Sequence, residues 1–465
     1  MSFETAFYIL EWTIRIGALA IVPARRTPAA TRGWLLLIFF LPVPGLLLFL
    51  AIGRPRFPAW RIERFRALMP LFDSLAARME EAHPGRPAGG EATAALARHL
   101  GRMPAVGGNG IELIEDYDGT IDRLVADIDE ARHHVRLVVY IFANDRTGRR
   151  VIAALARAVL RGVACQVLLD PVGSHHWRHG TIRELTAVGV DVREALPFRL
   201  LRGRTRRDMR NHRKLFVIDG LIGYTGSQNI VDRDFRPGIV NRELVARVTG
   251  PVVAEMEMLV RADWYLETVT MPAEDVYIPA ATGGRHAQIL PSGAEYPLEG
   301  FETLLVWQIH QARRRVVLTT PYFIPDEDVL GAMRTAVARG VTVELIISAA
   351  VDQRLVNLAQ CSYYSDLMRA GVCVHLFRGE LLHAKNVSVD GTLAILGSSN
   401  VDLRSFQLND EVSLLLFDDA SVADVERVQQ GYLAGSDRLT RERWNRRPAL
   451  RKLAENIARL LSPLL

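Results

Sequence analysis

Two stretches of this 465-residue chain carry the same chemically reactive residue types at the same intervals. Each begins with a histidine and a lysine separated by one residue, followed by an aspartate, a serine and an asparagine. A glutamate recurs further downstream, as Glu243 after the first stretch and Glu411 after the second. The first set is His212, Lys214, Asp219, Ser227 and Asn229, and the second is His383, Lys385, Asp390, Ser398 and Asn400.

These residue types suit phosphoryl transfer. A histidine and a lysine two positions apart in a strand point to one face, so both reach the same cleft. Ammonium, amide and hydroxyl groups stabilise phosphate oxygens, which makes the lysines, serines and asparagines candidate phosphate ligands. One imidazole can attack phosphorus, while the other protonates the leaving alcohol and deprotonates the incoming one. A carboxylate behind each histidine would fix its tautomer. Since the lysines supply positive charge, we expect neither metal nor cofactor.

The composition gives the lysines extra weight. Only three of the 57 basic residues are lysines, and two of them, Lys214 and Lys385, lie in the repeated stretches. A fortuitous strand pattern is the alternative interpretation, and recurrence of the whole pattern argues against it. Hydrophobic residues at 49% and charged residues at 23% indicate a folded protein. Three cysteines without a Cys-x-x-Cys pair disfavour a disulfide scaffold and a thiolate zinc site.

The elements that must position these residues also occur twice. Apolar strands at 135–142 and 163–170 have counterparts at 316–323 and 341–348, each pair separated by a helical run. This alternation predicts an α/β fold of two similar domains related by a pseudo-two-fold axis. The predicted divisions are an N-terminal membrane anchor at 1–56, a linker or helical segment at 57–110, and α/β domains at 111–270 and 271–465.

The N-terminus predicts membrane attachment. Trp34–Ile52 is an uncharged run of 19 residues, long enough to span a bilayer, although Pro42 and Pro44 predict a break near its middle. The apolar segment Phe7–Val22 contains Glu11 and Arg15, which are spaced to pair on one helix face. We therefore expect a retained helical hairpin. The arginine counts on its flanks favour a cytoplasmic body.

The two His-x-Lys-x4-Asp patterns resemble the signature of the phospholipase D superfamily, and the whole chain is similar to bacterial cardiolipin synthases within it. The similarity includes YIF (140–142), TTPYFIP (319–325) and SSNVDLRSFQLNDE (398–411). It implies transfer of a phosphatidyl group between two phosphatidylglycerol molecules, giving cardiolipin and glycerol. It also implies that His212 forms the phosphohistidine, that His383 is the general acid and base, and that Lys214, Asp219, Lys385 and Asp390 complete the catalytic set. The implied setting is the bacterial cytoplasmic membrane, in multi-pass form, with phosphatidylglycerol and other anionic phospholipids as partners.

Three alternative functions differ from this one in what they require of the sequence. A phospholipid hydrolase shares the same chemistry and differs only in the acceptor, which residue types do not report. A nuclease is disfavoured by the apolar N-terminus, so we expect no nucleic-acid partner, and a non-catalytic scaffold is disfavoured by the intact patterns. The oligomeric state stays open.

Two further clusters each have two interpretations. The first, a metal site or a substrate-lining loop, consists of His175, His176 and His179. The second, a headgroup-binding rim or a solvated face, consists of Arg202, Arg204, Arg206, Arg207, Arg210 and Arg213.

Overall fold

The computed structural model describes residues 2–25, 28–53, 57–85, 89–197, 208–270, 275–296 and 298–460. Helices precede the first strand of the chain. They are α1 (Phe3–Ile21), α2 (Pro28–Phe40), α3 (Pro42–Ile52), α4 (Ala59–Ala82) and α5 (Glu91–Gly101).

The apolar N-terminal run is divided between two helices. Leu41 separates α2 from α3 with a non-helical backbone (φ −130°, ψ 75°), and Pro42 begins α3. Proline lacks the N–H that would continue the preceding helix, so the predicted break is confirmed and a single helix over Trp34–Ile52 is wrong. In the described ranges no helix combines the length and apolar character needed to cross a membrane. Helices α1–α3 pack on one another through a small cluster that includes Trp34 and Phe49.

The first repeat follows as a mixture of strands and helices. Its elements are β1 (Val106–Ile114), α6 (Tyr117–Glu130), β2 (His134–Val139), α7 (Arg146–Leu160), β3 (Ala164–Leu169), α8 (Arg178–Ala187), β4 (Asp191–Glu194), β5 (Leu215–Ile218), β6 (Ile222–Gly226), β7 (Asn241–Arg242), β8 (Val245–Thr249) and α9 (Val253–Thr268).

The second repeat has corresponding elements and additional ones at its end. They are β9 (Arg285–Ser292), α10 (Gly300–Gln311), β10 (Arg315–Thr319), β11 (Phe323–Ile324), α11 (Glu327–Ala338), β12 (Thr342–Ser348), α12 (Arg354–Ala370), β13 (Cys373–Phe377), β14 (Leu381–Leu382), β15 (Asn386–Val389), β16 (Leu393–Gly397), β17 (Val401–Asp402), α13 (Leu403–Gln407), β18 (Glu411–Leu416), α14 (Asp419–Ala434), β19 (Ser436–Arg438), α15 (Arg441–Asn445) and α16 (Ala449–Leu460).

Both repeats contribute to a single sheet of 15 strands. Its order is β19-β13-β12-β10-β15-β16-β18-β9-β1-β8-β6-β5-β2-β3-β4, which, apart from the edge strand β19, reads symmetrically outward from the antiparallel β9–β1 pair. Strands β2, β3 and β4 are parallel, as are β10, β12 and β13. Parallel strands buried on both faces need continuous apolar sequence, which explains runs such as 163–170. The α/β prediction is confirmed, and the continuity of the sheet through both repeats is a finding of the structure.

Two short backbone connections away from the large sheet also join the repeats. Strand β7 pairs in parallel with β14, and Asn211 forms an isolated parallel bridge with Asp410. Both connections therefore link residues beside one histidine to residues of the opposite repeat, and this crossing determines how the functional side chains meet.

Candidate active site

The two predicted histidines line one cavity. Lys214 directly precedes β5 and Lys385 directly precedes β15, so each histidine lies three residues before the start of an equivalent central strand. The cavity has a volume of about 330 Å³. Residues predicted from the sequence that line it are His212, His383, Asn229 and Asn400.

Each histidine is held by the repeat to which it does not belong. The His212 N–H donates to the Asp410 carbonyl at 2.9 Å, and its Nδ1 lies 3.0 Å from both carboxylate oxygens of Glu411. The equivalent bonds join His383 to the Arg242 carbonyl at 2.8 Å and to Glu243 at 2.8 and 3.0 Å. The predicted glutamates are therefore at the site, but each serves the histidine of the other repeat.

The glycine and serine of each repeated stretch support these carboxylates. A Cβ on Gly226 would lie 2.4 Å from the Leu244 carbonyl oxygen, so glycine is needed where β6 meets the segment after Glu243. The Ser398 hydroxyl donates to Glu411, and the Ser227 hydroxyl bonds the Leu244 backbone. Both serines are fully buried behind the carboxylates and neither lines the cavity, in contrast to the direct phosphate contact expected from the sequence.

Both imidazoles are neutral at pH 7 in this environment. Burial lowers the pKa of His212 to about 4, with the Lys214 ammonium acting in the same direction and Glu411 opposing it. Burial likewise lowers the pKa of His383 to about 4. A neutral imidazole that donates Nδ1–H to a carboxylate presents an unprotonated Nε2, which is the atom required of a nucleophile or base.

The carboxylates are ionised beside these rings. Burial acts to raise the pKa of Glu411, yet the nearby His212 imidazole and its hydrogen bond bring it below the ordinary value. The same opposing causes lower the pKa of Glu243 through His383. Each ring is therefore paired with a fixed negative charge that favours any positive charge developing on it.

The two lysines are buried next to the histidines. The Lys214 Nζ donates to the His212 carbonyl at 2.7 Å, and the Lys385 Nζ donates to the His383 carbonyl at 2.6 Å. The Lys385 Nζ also lies 3.3 Å from the His383 Nε2, the atom expected to react. Burial lowers the pKa of Lys214 to about 7 and that of Lys385 to about 8. An anion bound here would therefore stabilise both ammonium groups.

The asparagines and two tyrosines complete the walls nearest the histidines. The Asn229 Oδ1 accepts the Ile141 N–H at 3.0 Å, whereas the Asn400 Oδ1 has no hydrogen-bond partner among the described residues. The Tyr140 ring lies 4.8 Å from the His212 ring, and the Tyr322 ring lies 6.4 Å from the His383 ring. Sequence reasoning missed these tyrosines as site residues, although each follows the equivalent strand of its repeat.

The two aspartates of the repeated pattern lie away from the cavity. Asp219 occupies the turn after β5 with φ 54°, and its carboxylate accepts the backbone N–H groups of residues 132–134 at 2.7–2.8 Å. Asp390 has φ 55° and makes the same three bonds with residues 313–315. Both therefore bind turns at the opposite end of the strands from the lysines. The structure does not bring these predicted catalytic residues to the histidines.

The two predicted clusters have separate outcomes. Arg210 and Arg213 are buried and paired with Asp170 and Asp263, so they belong to the interior and not to a headgroup-binding rim. Arg202, Arg204, Arg206 and Arg207 lie outside the described residues. None of His175, His176 and His179 lines the cavity. In the described part of the chain, the acids close enough to share a metal ion are Glu302, Asp326 and Asp328, none of which lines the cavity either.

Comparison with known proteins decides the family. The model of the family described as cardiolipin synthase, PLD-like domain, matches residues 124–264 and 305–431, which contain both histidines. The chain belongs to this family. Cardiolipin synthase A of Yersinia pseudotuberculosis is 34% identical over 99% of this chain and 100% of its own length. Cardiolipin synthase A of Erwinia tasmaniensis shows the same identity and coverage.

A solved structure extends the family relation to the fold. The phosphatidylserine synthase of Haemophilus influenzae aligns with a TM-score of 0.60 at 17% identity, covering 80% of this chain and 100% of that one. The predicted membership of the phospholipase D superfamily, and of its cardiolipin synthase family, is thus confirmed.

Proposed function

We propose that this protein is a cardiolipin synthase that transfers a phosphatidyl group between two phosphatidylglycerol molecules. The observation that carries the proposal is the convergence of His212 and His383 on one cavity, each with its Nδ1 on a buried carboxylate. Two neutral imidazoles with equivalent support can divide nucleophilic and acid–base work between them. The full-length similarity to proteins named cardiolipin synthase A selects the reaction from those that this chemistry permits.

The first step makes a covalent intermediate. The His212 Nε2 attacks the phosphorus of the donor, and the bond from phosphorus to the oxygen of the headgroup glycerol breaks. The leaving oxygen takes the Nε2 proton of His383, whose protonated form is favoured once the phosphodiester anion lies beside it. Lys214, Lys385, Asn229 and Asn400 stabilise the charge on the non-bridging oxygens. Glycerol leaves, and the phosphatidyl group stays on His212.

The second step reverses these roles. A hydroxyl of the acceptor's glycerol loses its proton to the neutral His383 and attacks the same phosphorus. The bond between phosphorus and the His212 Nε2 breaks, which releases cardiolipin and restores the free imidazole. Glu411 balances the positive charge of the phosphorylated His212 ring, and Glu243 does so for protonated His383. Asp219 and Asp390 take no part, because they bind distant turns.

Incubation with a single lipid tests this reaction. Detergent-purified protein given only phosphatidylglycerol, without added metal, should produce cardiolipin and glycerol in equal amounts by lipid mass spectrometry and glycerol assay. The variants His212→Ala and His383→Ala should each lose this turnover. If the wild-type protein releases phosphatidic acid and makes no cardiolipin, the protein is a hydrolase and the proposal is wrong.

We also propose that the first three helices attach the protein to the lipid surface. Phe3, Phe40 and Leu50 are 85%, 77% and 65% exposed, and other large apolar side chains of these helices are exposed beside them. Such a concentration of exposed apolar groups is typical of a membrane or partner interface. Because the proposed substrate is a lipid, we infer that these side chains contact a membrane and not a protein partner.

Vesicle flotation tests the attachment. The full-length protein should float with phosphatidylglycerol vesicles, and the triple variant Phe3→Ser, Phe40→Ser, Leu50→Ser should float less. Leu160→Ser is a matched control, since Leu160 is 88% exposed but lies on α7. Equal loss in the control, or none in the triple variant, would contradict the proposal.

A further inference from the structure

The proposed reaction, on which this inference rests, uses an acceptor that carries its own negative charge. The donor phosphate is placed between the histidines, and the acceptor's attacking hydroxyl must reach the same phosphorus. The acceptor's phosphodiester lies one glycerol unit away from that hydroxyl. A cavity that selects this acceptor over free glycerol therefore needs a cationic group besides Lys214 and Lys385.

Arg404 occupies a suitable position for that group. It lies on the short helix α13 and is among the cavity-lining residues. Its Nη2 donates to the Asp208 carbonyl at 3.0 Å, four residues before His212, which fixes the guanidinium on the His212 side. Its positive charge also acts on the Tyr140 hydroxyl, whose ring contacts His212.

The helix that carries Arg404 is tied directly to the catalytic machinery. The neighbouring Ser405 hydroxyl donates to Glu411 at 2.9 Å, and Glu411 bonds His212. The Asp402 side chain caps the same helix by accepting the Ser405 N–H at 2.8 Å. Arg404 is thus held in a fixed relation to the atom that would carry the phosphatidyl group.

Other arginines near the site are neutralised, and Arg404 is not. Arg236, which also lines the cavity, pairs with Asp352, and Arg210 lies 3.6 Å from Asp170. Arg233, which follows Asn229 by the same four residues that separate Arg404 from Asn400, pairs with Glu380 at 2.8 Å. Across the described ranges, no carboxylate forms an ion pair with Arg404.

One carboxyl group, that of Asp402, lies near Arg404. Asp402 lines the cavity two residues from Arg404, but its carboxylate caps the helix and forms no ion pair with the guanidinium among the described residues. It therefore leaves the guanidinium without a direct ionic partner. A bound phosphodiester would give Arg404 the full ionic partner that it lacks, through the forked donor geometry that guanidinium groups offer to phosphates.

We propose that Arg404 binds the phosphodiester of the acceptor phosphatidylglycerol and thereby selects a lipid acceptor over an uncharged alcohol. Its contribution is made in the second step, after the donor has already been split. The equivalent residue of the first repeat, Arg233, has no such role because its guanidinium is already paired with the Glu380 carboxylate.

Two acceptors compared with the same donor isolate this contribution. Phosphatidylglycerol alone measures cardiolipin formation, and phosphatidylglycerol with labelled glycerol measures exchange of label into the lipid, where the acceptor is uncharged. Both reactions use the same phosphohistidine. In Arg404→Gln the ratio of cardiolipin formation to glycerol exchange should fall about 10- to 100-fold, the range expected for losing a hydrogen bond to a charged group. Arg404→Lys should restore part of the ratio.

The matched control is Arg233→Gln, which should leave the ratio unchanged. If Arg404→Gln lowers both reactions equally, the residue serves the donor or the fold and the inference is wrong. If Arg404→Gln leaves both rates unchanged, the inference is also wrong, while the proposed function stays intact. A wild-type protein that makes no cardiolipin would instead overturn the proposed function, and this inference with it.

Discussion

Replacement of Glu411 by glutamine tests whether the carboxylate of the second repeat supports the chemistry at His212. The side chain is fully buried, with both oxygens 3.0 Å from the Nδ1 atom. Glutamine keeps the shape but removes the charge facing a ring that becomes positive as phosphorus is attacked. Unit charges about 4 Å apart interact by about 4 kcal/mol at an effective dielectric constant of about 20. Since about 1.4 kcal/mol corresponds to tenfold, phosphohistidine formation should slow by roughly 1,000-fold.

A donor lipid with p-nitrophenol as its leaving group makes this step visible. Nitrophenolate departs without needing a proton, so its burst reports attack by the nucleophile alone. Rapid-mixing measurements should show the burst rate collapsing in Glu411→Gln. They should show a largely preserved burst in Glu243→Gln, whose carboxylate supports His383. With phosphatidylglycerol as donor, both variants should be slow, because the leaving glycerol oxygen then needs the His383 proton.

The comparison can fail in two informative ways. A wild-type burst in Glu411→Gln, with melting temperature unchanged, would refute the inference that the crossed carboxylate stabilises the transition state at His212. A burst that survives in Glu411→Gln and disappears in Glu243→Gln would make His383 the nucleophile. The two-histidine chemistry would then stand with its roles exchanged.

Three other predictions concern the histidines and the buried charges around them. With the activated donor, His383→Ala should accumulate label on His212, and His212→Ala should accumulate none; label on His383 in the latter would reverse the assignment. Arg61→Met should lower the free energy of unfolding by about 3–5 kcal/mol, since it removes the guanidinium that lies 2.6 Å from the buried carboxylate of Glu267 and 2.8 Å from that of Glu295. The control Arg66→Met, at an exposed position, should lower it by less than about 0.5 kcal/mol. Denaturant titrations measure both values. Folding lowers the pKa of both histidines from 6.5 to about 4, so the free energy of unfolding is highest above pH 6.5 and declines as the pH falls from 6.5 through 4. The double variant His212→Asn, His383→Asn should lose that part of the pH dependence in unfolding measurements at several pH values.

The sequence was informative where local chemistry and repetition agree. The His-x-Lys spacing predicted both histidines and both lysines at one site because two-residue periodicity in an extended chain is a local property. The paired occurrence of the pattern predicted two α/β repeats. The break at Pro42 was predictable for the same reason, since the missing N–H of proline acts on its own helix.

Long-range partners could not be predicted in the same way. Glu243 follows His212 and Glu411 follows His383 along the chain, so spacing alone suggests pairing within each repeat. The crossing depends on the β7–β14 pair and the Asn211–Asp410 bridge, which are contacts between the repeats and leave no local periodicity. The position of Asp219 could not be predicted, because a spacing repeated in both halves of the chain does not distinguish a carboxylate that binds a turn from one that lies beside the histidine.

The exchanged carboxylates mean that neither repeat contains a working histidine of its own. A fragment ending near residue 270 would retain His212 without Glu411, and the complementary fragment would retain His383 without Glu243. Each fragment should be inert alone, and activity should return when the two associate. The two repeats therefore depend on each other, because a substitution of Glu243 in the first repeat would impair His383 in the second.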